Sequence, residues 1–408
     1  MLYRQQLISE FDVKREEFVR FEQTWSVELR EYTRWLEALG GRSAGEVKSE
    51  VSGAARAPGA LPSAELERAG AMCVPFKESW QTHEEARRWA LDALCGRVTF
   101  AADGSQLLPG REISLPVAAV QVASFENPHT RTGDGYRKEA RFALITPEDL
   151  LANEGGKVTA ADIVGLRRFE LELQAISEFL ERQRGWQSRG ERVPVALFDG
   201  TLLLSSAQIR TDSNFPRKYI EAIIKAVKLS RETQVPLVGY IDQSYARDLV
   251  SLLNALANTQ KRSASIYDAQ LLSSTATSAG APLLSAWGDR TIFCYCQREG
   301  LMNDLSDAAG NSLVGFLYLQ TTREGAPARL DIPTWIYEAG LLNEVVDAVR
   351  AECVVGNGYP YAIETADAAA VITWQDREQF LRVMQEFAAE HNLGFRVSRK
   401  AVSKVRRR

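Results

Sequence analysis

Two short stretches carry residue types that could do chemistry. In VTFAADGSQ (98–106) and in VPVALFDGTLLL (193–204), a run of strand-forming residues delivers an aspartate, Asp103 or Asp199, followed at once by glycine. Each run reads as a buried strand, and the glycine lets the backbone turn sharply after it. A lone carboxylate at the end of an apolar strand is costly unless it is hydrogen-bonded, paired or bound to a metal. If the two strands are neighbours in one sheet, both aspartates reach the same edge, and their repulsion favours a divalent cation between them. Hard oxygen ligands suit Mn²⁺ or Mg²⁺, and two such ions about 4 Å apart can clamp a phosphodiester for in-line attack by water. Taken singly, each aspartate reads equally well as an acceptor inside its own turn.

A third ligand has to come from elsewhere. The segment VGLRRFELELQAISEFL (164–180) has helical spacing, with an apolar face set by Leu166, Phe169, Leu173, Ile176 and Leu180. Glu172 falls just inside that face, whereas Glu170 lies about 90° from its centre at 3.6 residues per turn. Glu172 is therefore favoured and Glu170 stays open. Asp242 ends LVGYID (237–242), and Asp367 lies in GYPYAIETADAAAVIT (358–373). Alone, each reads as a cap or turn residue; together the acids form a set of four or five carboxylates.

Other chemistries lose support. GxxxxGK[ST] and GxGxxG are absent, which removes the usual phosphate-cradling loops. The three histidines, His83, His129 and His391, have no partner motif, and no GxSxG elbow occurs. The five cysteines lack CxxC spacing and nearby histidines, against both a disulfide framework and a structural zinc site. Cys294 and Cys296 stand two apart in TIFCYCQ, so on a strand they share a face and pack.

The elements that must position the acids follow from the pattern. With 408 residues, 45% hydrophobic and 25% charged, the chain has material for a large core, as one domain with an appendage or as two domains. Residues 1–39 read as one long helix, with Leu7, Phe11, Phe18, Phe21, Trp25 and Leu29 near helical spacing, ending at Gly40-Gly41. The Ala/Pro/Gly-rich segment 52–65 reads as a loop or linker, and 84–94 as a second helix. VTFAAD, PVAAVQVASF and RFALIT are three strands with connections too short for crossover helices, hence a meander. A helix (160–183), a strand, a helix (217–233) and the strand 236–242 then alternate, the signature of a mixed sheet flanked by helices. Later strands fall at RTIFCYC, VGFLYLQTT and ARLDIP, with closing helices near 335–351 and 376–390. The expected domains are an N-terminal helical region (1–95), a sheet domain (96–395) and a basic tail (396–408).

That tail, RVSRKAVSKVRRR, holds seven basic residues and no acid, against a net charge of −4 for the whole chain. It reads as a frayed end or as a contact for phosphate or an acidic partner surface. The N-terminus lacks a basic-then-apolar signal, and no uncharged apolar run reaches about 18 residues, so a soluble cytoplasmic protein with no membrane contact is expected.

The order AADGSQ, a glutamate-bearing helix, LFDGTLL, LVGYIDQ, WGDRT, ARLDIPTW and GYPYAIETADAAAVIT resembles the NurA nuclease family in its bacterial form, over roughly residues 96–380. The resemblance implies an RNase H-like core, a homodimer, and Mn²⁺- or Mg²⁺-dependent cleavage of DNA with two ions. It implies 5′ to 3′ exonuclease and single-strand endonuclease activity in end resection and double-strand break repair, with a hexameric HerA-type ATPase translocase as partner. Asp103 and Asp199 match the metal-binding aspartates, the helical glutamate matches Glu170 or Glu172, and Asp367 stands where many archaeal members have histidine. The alternatives from other classes are a catalytically silent scaffold subunit of a translocase and an RNase H-like enzyme acting on RNA.

Overall fold

A computed structural model describes residues 3–53, 56–110, 114–132, 135–151, 158–204, 215–259, 265–299, 305–323, 325–394 and 396. Its strands in chain order are β1 (Gly59–Pro62), β2 (Cys73–Val74), β3 (Thr99–Leu107), β4 (Ala118–Asn127), β5 (Arg137–Ile145), β6 (Val195–Asp199), β7 (Leu237–Ile241), β8 (Arg290–Thr291), β9 (Cys294–Gln297), β10 (Val314–Leu319) and β11 (Ala328–Pro333). Helices flank them, and no described helix is long and apolar enough to cross a membrane.

The chain packs as two compact units, each discontinuous: residues 1–79 with 241–334, and 80–240 with 335–408. The boundary expected near residue 95 falls near 80 instead, and the stretch 241–334 packs with the N-terminal region. Almost all of the basic tail lies outside the described residues.

In the first unit, β1, β9, β10 and β11 are antiparallel neighbours, and β8 pairs with both β10 and β2. The segment 52–65, read as a linker, contributes β1, whose Ala60 sits opposite Cys296. The long helix Arg4–Glu37 buries only its last turns, with Leu29, Tyr32 and Leu36 in a core that includes Leu252, Ile266, Phe316 and Tyr318. Cys294 and Cys296 are both buried on β9, as free thiols. Strand β11 is buried along its length, charges included. Arg329 pairs with Asp331 at 2.7 Å and with Asp248 at 2.6 Å, and Arg298 grips the same Asp248 with two hydrogen bonds of 2.6 and 2.7 Å.

The second unit holds the expected meander. Its strands lie in the order β5-β4-β3-β6-β7; β3, β4 and β5 are antiparallel, and β6 and β7 run parallel to β3 and to each other, an RNase H-like arrangement. The helix Ala160–Arg182 starts on a capping box in which Thr159 and Asp162 bond reciprocally to each other's backbone N–H, and it packs on β3 and β4. The helix Tyr361–Ala370 packs on the same two strands. The single closing helix expected at 335–351 is two, Thr334–Glu338 and Leu342–Val355, separated by Gly340 in the left-handed region.

Candidate active site

Parallel pairing of β3 with β6 sets Ala102 opposite Phe198, so one residue further along both strands come Asp103 and Asp199. The two Asp-Gly pairs, alike in sequence, differ in the structure. At Asp199 the strand ends, and Gly200 has φ +144°, a conformation an L side chain rarely adopts. At Asp103 the strand does not end. It continues to Leu107, with Gly104 paired to Val122, so the expected turn there is absent.

Gly104 serves a different purpose. Successive strand residues point to opposite faces. Phe100 stacks on Phe179 of the helix Ala160–Arg182 at 4.6 Å, so Gly104 faces that helix too. A Cβ on Gly104 would lie 2.6 Å from Glu172 Oε1 and 2.7 Å from Arg168 Cγ. The missing side chain thus lets Glu172 lie against the strand beside Asp103. Glu172 is 6% exposed, its Oε1 has no hydrogen-bond partner, and Arg168 Nε stands 3.4 Å away. Glu170 points elsewhere: its side chain is 40% exposed and sits 3.6 Å from Arg167.

Asp103 faces the other layer. The carboxyl of Asp367, on the helix Tyr361–Ala370, stands close enough to raise the proton affinity of Asp103. Asp199 and Asp367 are exposed, Asp103 is half-buried, and Asp242 is exposed just beyond β7.

The electrostatics record a shortage of positive charge. Burial pushes the Asp103 carboxyl up to about 6, and the hydrogen bond and charge of Asp367 and the charge of Asp199 add to this. Burial pushes Glu172 up to about 8; Arg168 opposes the shift, and the charges of Asp103 and Asp199 reinforce it. A buried carboxylate whose paired cation is Arg168 at 3.4 Å, and a second acid raised by two carboxylate neighbours, suit a hard divalent cation by donor chemistry. As placed, no three His, Cys, Asp or Glu side chains among the described residues share one metal position, and Glu172 and Asp103 approach β3 from opposite faces.

Sequence reasoning missed two features. One is the close approach at Gly104. The other is Glu352, an acid inside the apolar run AVRAECVV, which is 1% exposed. An acid flanked by Ala351 and Cys353-Val354-Val355 is a readable signal.

The sequence pattern of the NurA domain matches residues 97–372. No curated protein matches the chain. Among solved structures, a crystal structure of NurA with manganese aligns over 76% of this chain and 94% of its own, with 10% identity and a TM-score of 0.39. An Argonaute from Aquifex aeolicus aligns over 67% of this chain and 28% of its own, with 9% identity and a TM-score of 0.24. Likenesses this low fix neither activity nor ligands.

Proposed function

The chain belongs to the NurA family, and on that premise we propose that it is a metal-dependent deoxyribonuclease, a 5′ to 3′ exonuclease and single-strand endonuclease acting in DNA end resection. The observation that carries this reading is the electrostatic coupling of Asp103 to Asp367 and Asp199, and of Glu172 to Asp103 and Asp199, with burial raising Asp103 and Glu172 towards neutral pH. Asp103, Asp199 and Glu172, with Asp367, would hold Mn²⁺ or Mg²⁺, as two ions. When bound, the cations supply polarisation of the phosphodiester and a nucleophile from water at neutral pH.

The chain's own groups do the rest. Asp103 and Glu172 give up protons as the site fills, so filling is favoured by rising pH. Asp367, close to Asp103, adds negative charge that a bound cation would offset. Arg168, with its side chain 41% exposed beside Glu172, offers positive charge to a phosphate backbone. The lack of a nucleotide-binding loop in the sequence fits a nuclease whose ATP hydrolysis is supplied by a HerA-type hexameric partner. Assembly as a homodimer draws support from the helix Arg4–Glu37, where Leu7, Phe11, Phe18 and Phe21 remain about half exposed on the stripe that buries Leu29, Tyr32 and Leu36 further along.

The test is incubation of the full-length protein with labelled single-stranded DNA, duplex DNA and RNA, each with Mn²⁺, Mg²⁺ or EDTA. The reading predicts cleavage of DNA with the cations and none with EDTA. No cleavage under any condition would favour the scaffold, and preference for RNA would change the substrate class.

A further inference from the structure

Two of the four site acids sit on elements that no covalent neighbour holds together: Asp103 on β3 and Asp367 on the helix Tyr361–Ala370. One buried side chain touches both elements. Glu352, on the helix Leu342–Val355, accepts a hydrogen bond from the Thr99 hydroxyl at 2.8 Å through Oε1 and from the Ala362 backbone N–H at 2.8 Å through Oε2. Thr99 begins β3 and, four residues before Asp103, points to the same face. Ala362 lies in the first turn of the helix that carries Asp367, and Pro360, at that helix's N-cap, has no side-chain cap to offer. Glu352 therefore acts as a cap supplied from another helix, its Oε2 accepting from a first-turn N–H that Pro360 cannot satisfy.

A third contact ties this junction to His129. His129 Nδ1 lies 2.8 Å from the Arg97 carbonyl oxygen, which can only accept, so Nδ1 carries the hydrogen. His129 Nε2 then faces Glu352 Oε1 at 3.5 Å. Such a satisfied buried unit is rigid in a way that an apolar contact is not.

We propose that Glu352, held by His129, is a positioning residue that sets the β3 strand and the Tyr361–Ala370 helix at the spacing from which Asp103 and Asp367 meet. The proposal rests on the nuclease reading given above. It assigns Glu352 no contact with substrate or cation.

The test uses full-length protein and Mn²⁺ alone, with free Mn²⁺ read by electron paramagnetic resonance and the fold by circular dichroism and melting. Removing a group that orients metal ligands costs roughly 10- to 100-fold in metal affinity, and Glu352→Gln is expected to fall in that range. Thr99→Val, which removes only the hydrogen bond on the strand side, keeps the test open if Glu352→Gln fails to fold; it should weaken Mn²⁺ binding while melting cooperatively, and Thr99→Ser should restore it. On DNA the same variants should lower kcat with KM little changed. Wild-type Mn²⁺ binding with both Glu352→Gln and Thr99→Val within about twofold of it would overturn the positioning role and leave the nuclease reading standing. A wild-type protein that neither binds Mn²⁺ nor cuts DNA would overturn both.

Discussion

Glu172 is the residue whose placement most constrains the chemistry. Its carboxyl, ordinarily near 4.5, is raised to about 8 by burial and by Asp103 and Asp199, against Arg168. The folded value lies above the unfolded one, so the stability this group contributes is full below about pH 4.5 and is lost as pH rises through 8. The cation-free protein should therefore melt at progressively lower temperature between pH 5 and pH 9. Glu172→Gln, which cannot ionise, should flatten that slope, and calorimetry across the range checks it. The same variant should lose cleavage by several kcal/mol of transition-state stabilisation, on the order of 10²- to 10³-fold in rate, whereas Glu170→Gln, beside Arg167 and exposed, should stay near wild type. Equal and mild effects of the two substitutions on cleavage would contradict the assignment.

At the scale of elements, strand β3 shows what a glycine can do besides turn. Gly104→Ala would press a methyl group against Glu172 Oε1 and Arg168 Cγ, both on flexible side chains that can yield. Overpacking of this kind costs about 1 kcal/mol at its low end, so the variant should fold normally yet lose Mn²⁺ binding and cleavage as Glu172 is pushed from the strand. Paired melting and activity measurements separate the two effects. The meander, the parallel strands and the glutamate helix were legible in the sequence because each carries its own periodicity or cap. The difference between Gly104 and Gly200 was not, because the group that needs room at Gly104 belongs to a distant helix. Strand β1 was missed for a related reason: GALP has little strand propensity of its own, and pairing with β9 makes it a strand. Of the acids, Asp103 and Asp199 were marked by their strand ends and Glu172 by the helical wheel, while the tie of Asp103 to Asp367 depends on packing between layers that no local pattern encodes.

Across the whole molecule, the charges the sequence shows on β11 prove to be interior. ARLDIP is buried from end to end; its Arg329 pairs with Asp331 two residues along the same strand and with the distant Asp248, which also serves Arg298. Removing one member of such a set leaves buried charge uncompensated, at about 3–5 kcal/mol. Asp248→Ala should lower the stability of the first unit by that amount in urea unfolding, and an unchanged midpoint would show that the network does not hold that unit together. The site itself lies in the second unit, so its chemistry is tested apart from this network. The most direct measurement compares Mn²⁺-dependent cleavage of labelled single-stranded DNA by wild-type protein, Asp103→Asn and Asp199→Asn, each shown folded by circular dichroism. A family nuclease built on these carboxylates predicts cutting by the wild type that EDTA abolishes and neither variant retains; near-normal Mn²⁺-dependent cutting by either variant would contradict it.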